Sequence, residues 1–188
     1  MRKNKLFIFM LAFILSISCL STIAFSHSNT QSSDDTELNW YFVNRGKDTL
    51  PECPKEATGL LSKYDAYYLG DTNEKVIYLT FDEGYEKGYT GAILDTLKEL
   101  KIPAAFFVVK PYIDSEPELI KRMVDEGHLV CNHSNHHPSM ATITDLEKFK
   151  AEFTDVEEAY KEIVGTDMPK FFRPPMGCLL YTSPSPRD

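Results

Sequence analysis

The chain has 188 residues, of which 43% are hydrophobic, and its 28 acidic and 20 basic side chains give a formal net charge of −8. This length leaves room for one domain with a sizeable core. The acidic balance argues against a nucleic-acid partner, because binding to a phosphate backbone needs clusters of lysine and arginine.

Residues 1–26 have the composition of an export signal. A basic start precedes an uncharged, mostly apolar run from 6 to 25, and residues 24–26 offer a small-x-small cleavage site. This pattern favours a secretory signal peptide. The run is also long enough to span a bilayer, so an uncleaved membrane anchor is the alternative. Both predict an exported, extracytoplasmic protein, either associated with the cell wall or anchored through residues 6–25. Without residues 1–26 the net charge falls to −11, because three basic and no acidic residues are lost.

Two irregular segments follow. Residues 27–37 are rich in Ser, Thr, Asn and Asp, which predicts a flexible spacer. Residues 38–75 are expected to form an irregular N-terminal extension packed through its aromatic side chains: Trp40, Tyr41, Phe42, Tyr64, Tyr67 and Tyr68. Cys53 and Cys131 show no disulfide framework, which favours two free thiols over a single bridge.

From residue 76 onward, short apolar segments alternate with amphipathic ones. The predicted strands are 76–81, 104–109, 128–132 and 171–172. The predicted helices are 90–101, 115–127 and 144–164, the last two opened by the capping boxes Ser115/Glu118 and Thr144/Glu147. This order predicts an α/β fold with a parallel sheet and helices packed outside it. Four strands and three helices are about half of a barrel.

Three polar clusters follow predicted strands. Asp82 and Glu83 come after the first strand, His133 and His137 after the third, and Arg173 after the fourth. Because the carboxyl ends of parallel strands meet at one edge of a sheet, we expect these side chains to converge. Each cluster alone is also typical of a solvated turn, a polar loop or a surface ion pair. Their joint occurrence predicts a metal-assisted hydrolase.

The acidic pair and the arginine suggest separate tasks. Adjacent side chains that leave a strand point to opposite sides, so one of the two acids can accept a proton while the other faces a metal or hydrogen-bond donors. Arg173 precedes two prolines that hold its backbone extended, which would let it orient a carboxylate such as that of Asp82.

The histidine cluster predicts a metal site. His133 and His137 are four residues apart, and on one helical turn both imidazoles would face a divalent ion. His136 is expected to support this pair or to be exposed. Ser134 either orients a ligand or substrate, or caps the backbone locally.

These clusters resemble the first three motifs of the polysaccharide deacetylase family (carbohydrate esterase family 4, NodB-like domains), over residues 38–177. The patterns at 40–42, 63–71 and 77–82 are similar to one branch, the delta-lactam-biosynthetic N-acetylmuramic acid deacetylases of spore cortex peptidoglycan. The resemblance implies a distorted (β/α) barrel, with residues 76–177 as about its first half.

The resemblance also implies roles for individual residues. Asp82 would be the catalytic base, oriented by Arg173, and the backbone N–H of Tyr85 would help to stabilise the oxyanion. Pro174 would help to form the substrate groove, with Ser134 as a further substrate-binding candidate.

The metal ligands implied by the resemblance are His133, His137 and Glu83, and the ion is expected to be zinc. Most family members have aspartate at the position of Glu83, so this ligand departs from the family pattern.

The implied activity is hydrolysis of the N-acetyl group of N-acetylmuramic acid in peptidoglycan, during sporulation, by a monomeric enzyme. The alternatives are a chitin, chitooligosaccharide or xylan deacetylase, and a non-catalytic glycan-binding domain.

Residues 178–188 break the pattern. Back-translated, they resemble a transposase sequencing adapter, so we expect a non-native tail after native sequence that stops at 176 or 177. A genuine Ser/Pro-rich terminus is the alternative. The later family motifs, including a Leu-His pair with the general acid, would then be missing, and this chain would be inactive.

Overall fold

The computed structural model describes residues 37–47 and 49–180. The predicted signal segment 1–26, nearly all of the spacer and the end of the predicted tail lie outside these residues. The strands are β1 (Glu37–Asn39), β2 (Thr80–Glu83), β3 (Ala105–Val108), β4 (Leu129–Asn132) and β5 (Cys178–Leu180). The α-helices are α1 (Thr58–Lys63), α2 (Thr90–Leu100), α3 (Lys110–Ser115), α4 (Pro117–Asp125) and α5 (Leu146–Val164). Short 3₁₀ turns lie at Lys55–Ala57, Met140–Thr142 and Pro175–Gly177.

The central sheet is parallel, in the order β2-β3-β4. Helices connect its strands, as the alternating pattern predicts. In its register Phe107 of β3 is the partner of both Asp82 on β2 and Cys131 on β4. The predicted fourth strand is only an isolated parallel bridge between Phe172 and Asn132. The sheet nevertheless brings β2, β4 and the segment after Phe172 to one edge.

The core lies between this sheet and helices α2 to α5. Phe106 and Val130 are fully buried on the sheet, and fully buried side chains from all four helices cover them: Leu94, Tyr112, Ile113, Ile120, Met123 and Val156. The predicted strand at 76–81 is shorter than expected, since β2 begins at Thr80 and Ile77 is 86% exposed. Within the predicted strand, Phe81 is the apolar residue that packs against the core, where its ring stacks on that of Phe106.

Two helix starts differ from the prediction. Ser115 is the last residue of α3, and its hydroxyl donates to a carbonyl of its own helix, so the capping box expected there does not form. Instead α4 begins at Pro117, which suits a first helical position because that position needs no N–H partner. At α5 the cap is Asp145 rather than Thr144, and it accepts from the N–H of Lys148 at 3.0 Å.

The N-terminal extension packs against the segment that follows Arg173. Strand β1 pairs antiparallel with β5, and the N–H of Trp40 donates to the carbonyl of Gly177 at 3.1 Å. A Cβ atom at Gly177 would lie 2.9 Å from that of Trp40, and its φ is +64°, so this contact requires glycine. The ring of Trp40 also contacts those of Phe42 and Tyr68, which makes these three the packing anchors of the extension.

The expected thiol state is seen for Cys53 and Cys131. Cys53 and Cys131 are free, and Cys131 is buried. Among residues 37–47 and 49–180, no helix is both long and apolar enough to cross a membrane.

Candidate active site

The carboxylate of Asp82 lies at the sheet edge between a guanidinium and an imidazole. Its Oδ1 accepts a hydrogen bond from Nη1 of Arg173, and its Oδ2 is 4.0 Å from Nε2 of His133. The side chain of Asp82 remains 45% exposed, so a substrate can reach it. The three predicted strand ends therefore do meet at this carboxylate.

The guanidinium group of Arg173 stacks on an aromatic ring. Its guanidinium carbon lies 4.1 Å from the ring centroid of Phe107, the register partner of Asp82. Such a cation–π contact restricts the plane of the guanidinium and therefore its approach to the carboxylate. Phe107 was not predicted as part of the site, although its place at the end of the strand next to Asp82 could have indicated it.

His133 is presented as a neutral imidazole. It is almost fully buried, and its Nδ1 lies 2.8 Å from the main-chain carbonyl of Arg173. Burial lowers the pKa of His133, and this outweighs the opposing effects of the Arg173 carbonyl and of Asp82. A carbonyl partner requires the proton on Nδ1, which leaves the lone pair of Nε2 directed toward the site.

His133 and His137 are brought together by a loop, not by the helical turn that the spacing suggested. Their ring centroids are 4.9 Å apart. Ser134 and His137 both have positive φ, at +75° and +56°, so the backbone turns sharply at each. Non-glycine residues hold this conformation only where the surroundings impose it.

Side chains within the loop supply part of that constraint. The N–H of Ser134 donates to Oδ1 of Asn132, and the N–H of His137 donates to Oγ of Ser134 at 2.9 Å. Ser134 is completely buried. Ser134 was expected either to orient a ligand or substrate or to cap the backbone locally, and these contacts are those of a local backbone cap.

Helix α5 supplies the rest of the constraint. Glu152 accepts from the backbone N–H of His136 and pairs with its Nδ1, each at 2.9 Å, and Asp155 accepts from the side chain of Asn135 at 2.7 Å. The ring of His136 is otherwise exposed, as expected. Glu152 was not predicted as a functional residue. The sequence feature that could have indicated it is the position of this acidic residue within the apolar stripe of α5, three residues after Phe149.

Glu83 follows Asp82 on β2, so its side chain leaves the strand on the opposite side. It is half-buried, and burial together with the nearby charges of Glu86 and Asp82 raises its pKa.

Two remaining predicted residues border the site: Tyr85 is 68% exposed on the loop after β2, and Pro174 follows Arg173 directly.

The described residues fit a divalent metal in part. The two imidazoles are adjacent, and His133 has the tautomer that a metal needs. However, no set of three His, Cys, Asp or Glu side chains in the described part of the chain is arranged to hold a metal ion. Glu83 does not join the histidines in this conformation.

Comparison with known proteins identifies the family of the chain. The sequence profile of the polysaccharide deacetylase family matches residues 69–184. The peptidoglycan-N-acetylmuramic acid deacetylase PdaA of Bacillus subtilis is 40% identical over 163 residues, covering 86% of this chain and 62% of that protein. The chain thus spans less than two thirds of the length of this relative.

Solved structures show the same fold. The structure of Bacillus subtilis PdaA, a family 4 carbohydrate esterase, matches with a TM-score of 0.73 and 42% identity over 78% of this chain and 62% of that one. A family 4 carbohydrate esterase from Bacillus anthracis matches with a TM-score of 0.70 and 44% identity over 79% and 67%. The predicted fold type is therefore confirmed, and the chain belongs to the polysaccharide deacetylase family.

Proposed function

We propose that this chain belongs to an enzyme that hydrolyses the N-acetyl group of N-acetylmuramic acid in peptidoglycan. The observation that carries the proposal is the half-exposed Asp82 carboxylate, held between Arg173 and the neutral imidazole of His133. The name of the PdaA relative supports the choice of sugar, since that protein is a peptidoglycan-N-acetylmuramic acid deacetylase.

In this proposal Asp82 takes a proton from the attacking water, which a base in hydrogen-bond reach can do. Arg173 keeps the carboxylate oriented through a charge-assisted hydrogen bond. The backbone N–H of Tyr85 donates to the oxyanion that develops on the acetamide oxygen. Pro174 forms part of the groove in which the glycan lies.

We further propose zinc as a cofactor, with His133 and His137 as two ligands and Glu83 as a third after its side chain changes conformation. Imidazole and carboxylate donors suit this ion, which when bound polarises the acetamide oxygen and acidifies water.

The N-terminal sequence supports a proposal about localisation. We propose an exported, monomeric protein that acts at the cell wall during sporulation, either released or anchored through residues 6–25.

The test is acetate release from purified peptidoglycan by the full-length protein to which this chain belongs, followed by analysis of the muropeptides. We expect new free amine on muramic acid, and a loss of at least about 10²-fold in turnover for Asp82→Asn, the usual scale for a positioned base. Asp125→Asn, an exposed aspartate at the end of α4, is the matched control and should keep full turnover.

Free amine on glucosamine or on chitin oligomers alone would move the substrate to the alternative class. Full turnover of Asp82→Asn would remove Asp82 from the mechanism. Glycan binding without acetate release would favour the non-catalytic alternative.

A further inference from the structure

The loop between β2 and α2, residues 84–89, borders the Asp82 carboxylate. It carries Tyr85, whose ring is exposed, and Gly88, whose φ is +87°. Exposed loops of this kind sample several conformations unless specific contacts restrict them. A backbone donor on this loop can serve the reaction only if the loop is held in place.

One side chain in the loop gathers several hydrogen bonds. Oε1 of Glu86 accepts from the backbone N–H groups of Gly88, of Tyr89 at 2.7 Å and of Thr90 at 3.4 Å. Oε2 accepts from the hydroxyl of Tyr112 at 3.1 Å. The carboxylate thus closes the loop onto the first turn of α2 and ties it to a second helix.

The charge of Glu86 fits this position. The hydrogen bond from the Thr90 side chain, with those from the backbone of Thr90 and Tyr89 and from Tyr112, lowers the pKa of Glu86 to about 2. The carboxylate is therefore ionised at every pH at which the protein is expected to work, and it lies where the N–H groups of a helix start favour negative charge.

The anchor of the loop is part of the core. Tyr112 on α3 is completely buried, and its hydroxyl also lies 3.2 Å from Oγ1 of Thr90, which is buried as well. Burial raises the pKa of Tyr112, so the hydroxyl keeps its proton and remains a donor to Glu86. Since α3 directly follows β3, the loop is fixed to the same sheet that carries Asp82.

We infer that Glu86 is a positioning residue: through its hydrogen bonds to the loop backbone and to Tyr112, it holds residues 84–89 in the conformation that places the Tyr85 backbone N–H beside the reacting group. The use of that N–H in the reaction rests on the proposed function. The ordering of the loop by Glu86 does not depend on it.

Two variants test the inference. Glu86→Gln keeps the size of the side chain but removes its charge, and Tyr112→Phe removes one hydroxyl from the anchor. Glu99→Gln, an exposed glutamate on α2, is the matched control. We expect amide hydrogen exchange of Gly88, Tyr89 and Thr90 to become at least about tenfold faster in Glu86→Gln, while exchange in β3 and β4 is unchanged.

In steady-state assays of the full-length protein, kcat should fall roughly 10- to 100-fold in Glu86→Gln, as for a misplaced catalytic group, with KM changed less than about threefold. Tyr112→Phe should have a smaller effect in the same direction. The double variant should lose less than the product of the two single losses, because both act through one contact.

The outcomes separate this inference from the proposed function. Unchanged amide exchange in Glu86→Gln, or kcat equal to that of Glu99→Gln, would overturn the inference in a protein that is otherwise active. If the unaltered full-length protein releases no acetate, the proposed function fails, and the exchange experiment alone decides whether Glu86 orders the loop.

Discussion

The main-chain carbonyl of Arg173 lies 2.8 Å from Nδ1 of His133, while the side chain of the same arginine contacts Asp82. One residue therefore sets both the tautomer of a proposed metal ligand and the orientation of the proposed base. The first contact uses the backbone and the second uses the side chain, so substitution can separate them.

Replacement of the Arg173 side chain should remove only the second of these contacts. We expect Arg173→Gln to lower acetate release by at least about 10²-fold, because the base loses its charged partner. Zinc affinity, measured by calorimetric titration, should stay within about threefold, because the carbonyl that fixes His133 remains. A parallel loss of zinc affinity would contradict this separation.

Removal of the ring under Arg173 should have a milder effect. In Phe107→Leu the cation–π contact is lost, which is worth about 0.5–1 kcal/mol at a partly exposed site. We expect kcat to fall about two- to fivefold with little change in melting temperature. Phe107→Tyr keeps an aromatic face and should retain activity; if it loses as much as the leucine variant, stacking is not the cause.

The contact between α5 and the histidine loop should matter for both stability and metal binding. Glu152→Ala leaves the N–H of His136 without its acceptor, so we expect a loss of roughly 1–3 kcal/mol in the free energy of unfolding. Zinc affinity should fall as well, because His137 follows in the same loop. Denaturant titration and calorimetry measure the two effects.

The control for this experiment is Glu158→Ala on the exposed face of α5. It should change neither quantity. If both variants lose the same stability and zinc affinity, the losses do not come from the contact between Glu152 and the histidine loop.

The assignment of Glu83 as a third ligand is tested by two substitutions. Glu83→Gln should weaken zinc binding, because the anionic donor is lost, and Glu83→Asp should preserve or strengthen it. Titration of the bound metal with a chelator compares the variants. Identical curves would exclude Glu83 from the metal site and leave His133 and His137 as the proposed ligands.

Ionised Glu86 should give the protein a pH-dependent stability. Its pKa in the folded chain, about 2, lies below the ordinary value of 4.5, so its contribution is fully present above pH 4.5 and is lost as the pH falls toward 2. Glu86→Gln lacks this contribution at every pH. The difference in melting temperature between the two proteins should therefore shrink between about pH 6 and about pH 3. A constant difference would mean that the Glu86 carboxylate is not stabilised in the folded state.

The alternation of strands and helices, the parallel sheet and the meeting of Asp82 with Arg173 were all predictable from the sequence. Period-two and helical patterns of apolar residues are local signals, and strand ends of a parallel sheet share one edge by geometry. The exact helix starts were less predictable. Pro117 begins α4 and Asp145 caps α5, where Ser115 and Thr144 were expected to act, because several neighbouring residues can cap a helix and packing selects among them.

The conformation of the histidine loop and the groups that hold it depended on tertiary structure. Four-residue spacing suits a helical turn. Here, however, the side chains of Asn132 and Glu152 accept hydrogen bonds from backbone N–H groups that a helix would use internally. These contacts stabilise a loop with positive φ at His137. Likewise, Phe107 under Arg173 and Tyr112 against Glu86 are contacts between residues distant in the chain. A sequence pattern records which residues share a face of one element, whereas such contacts exist only after separate elements have packed together.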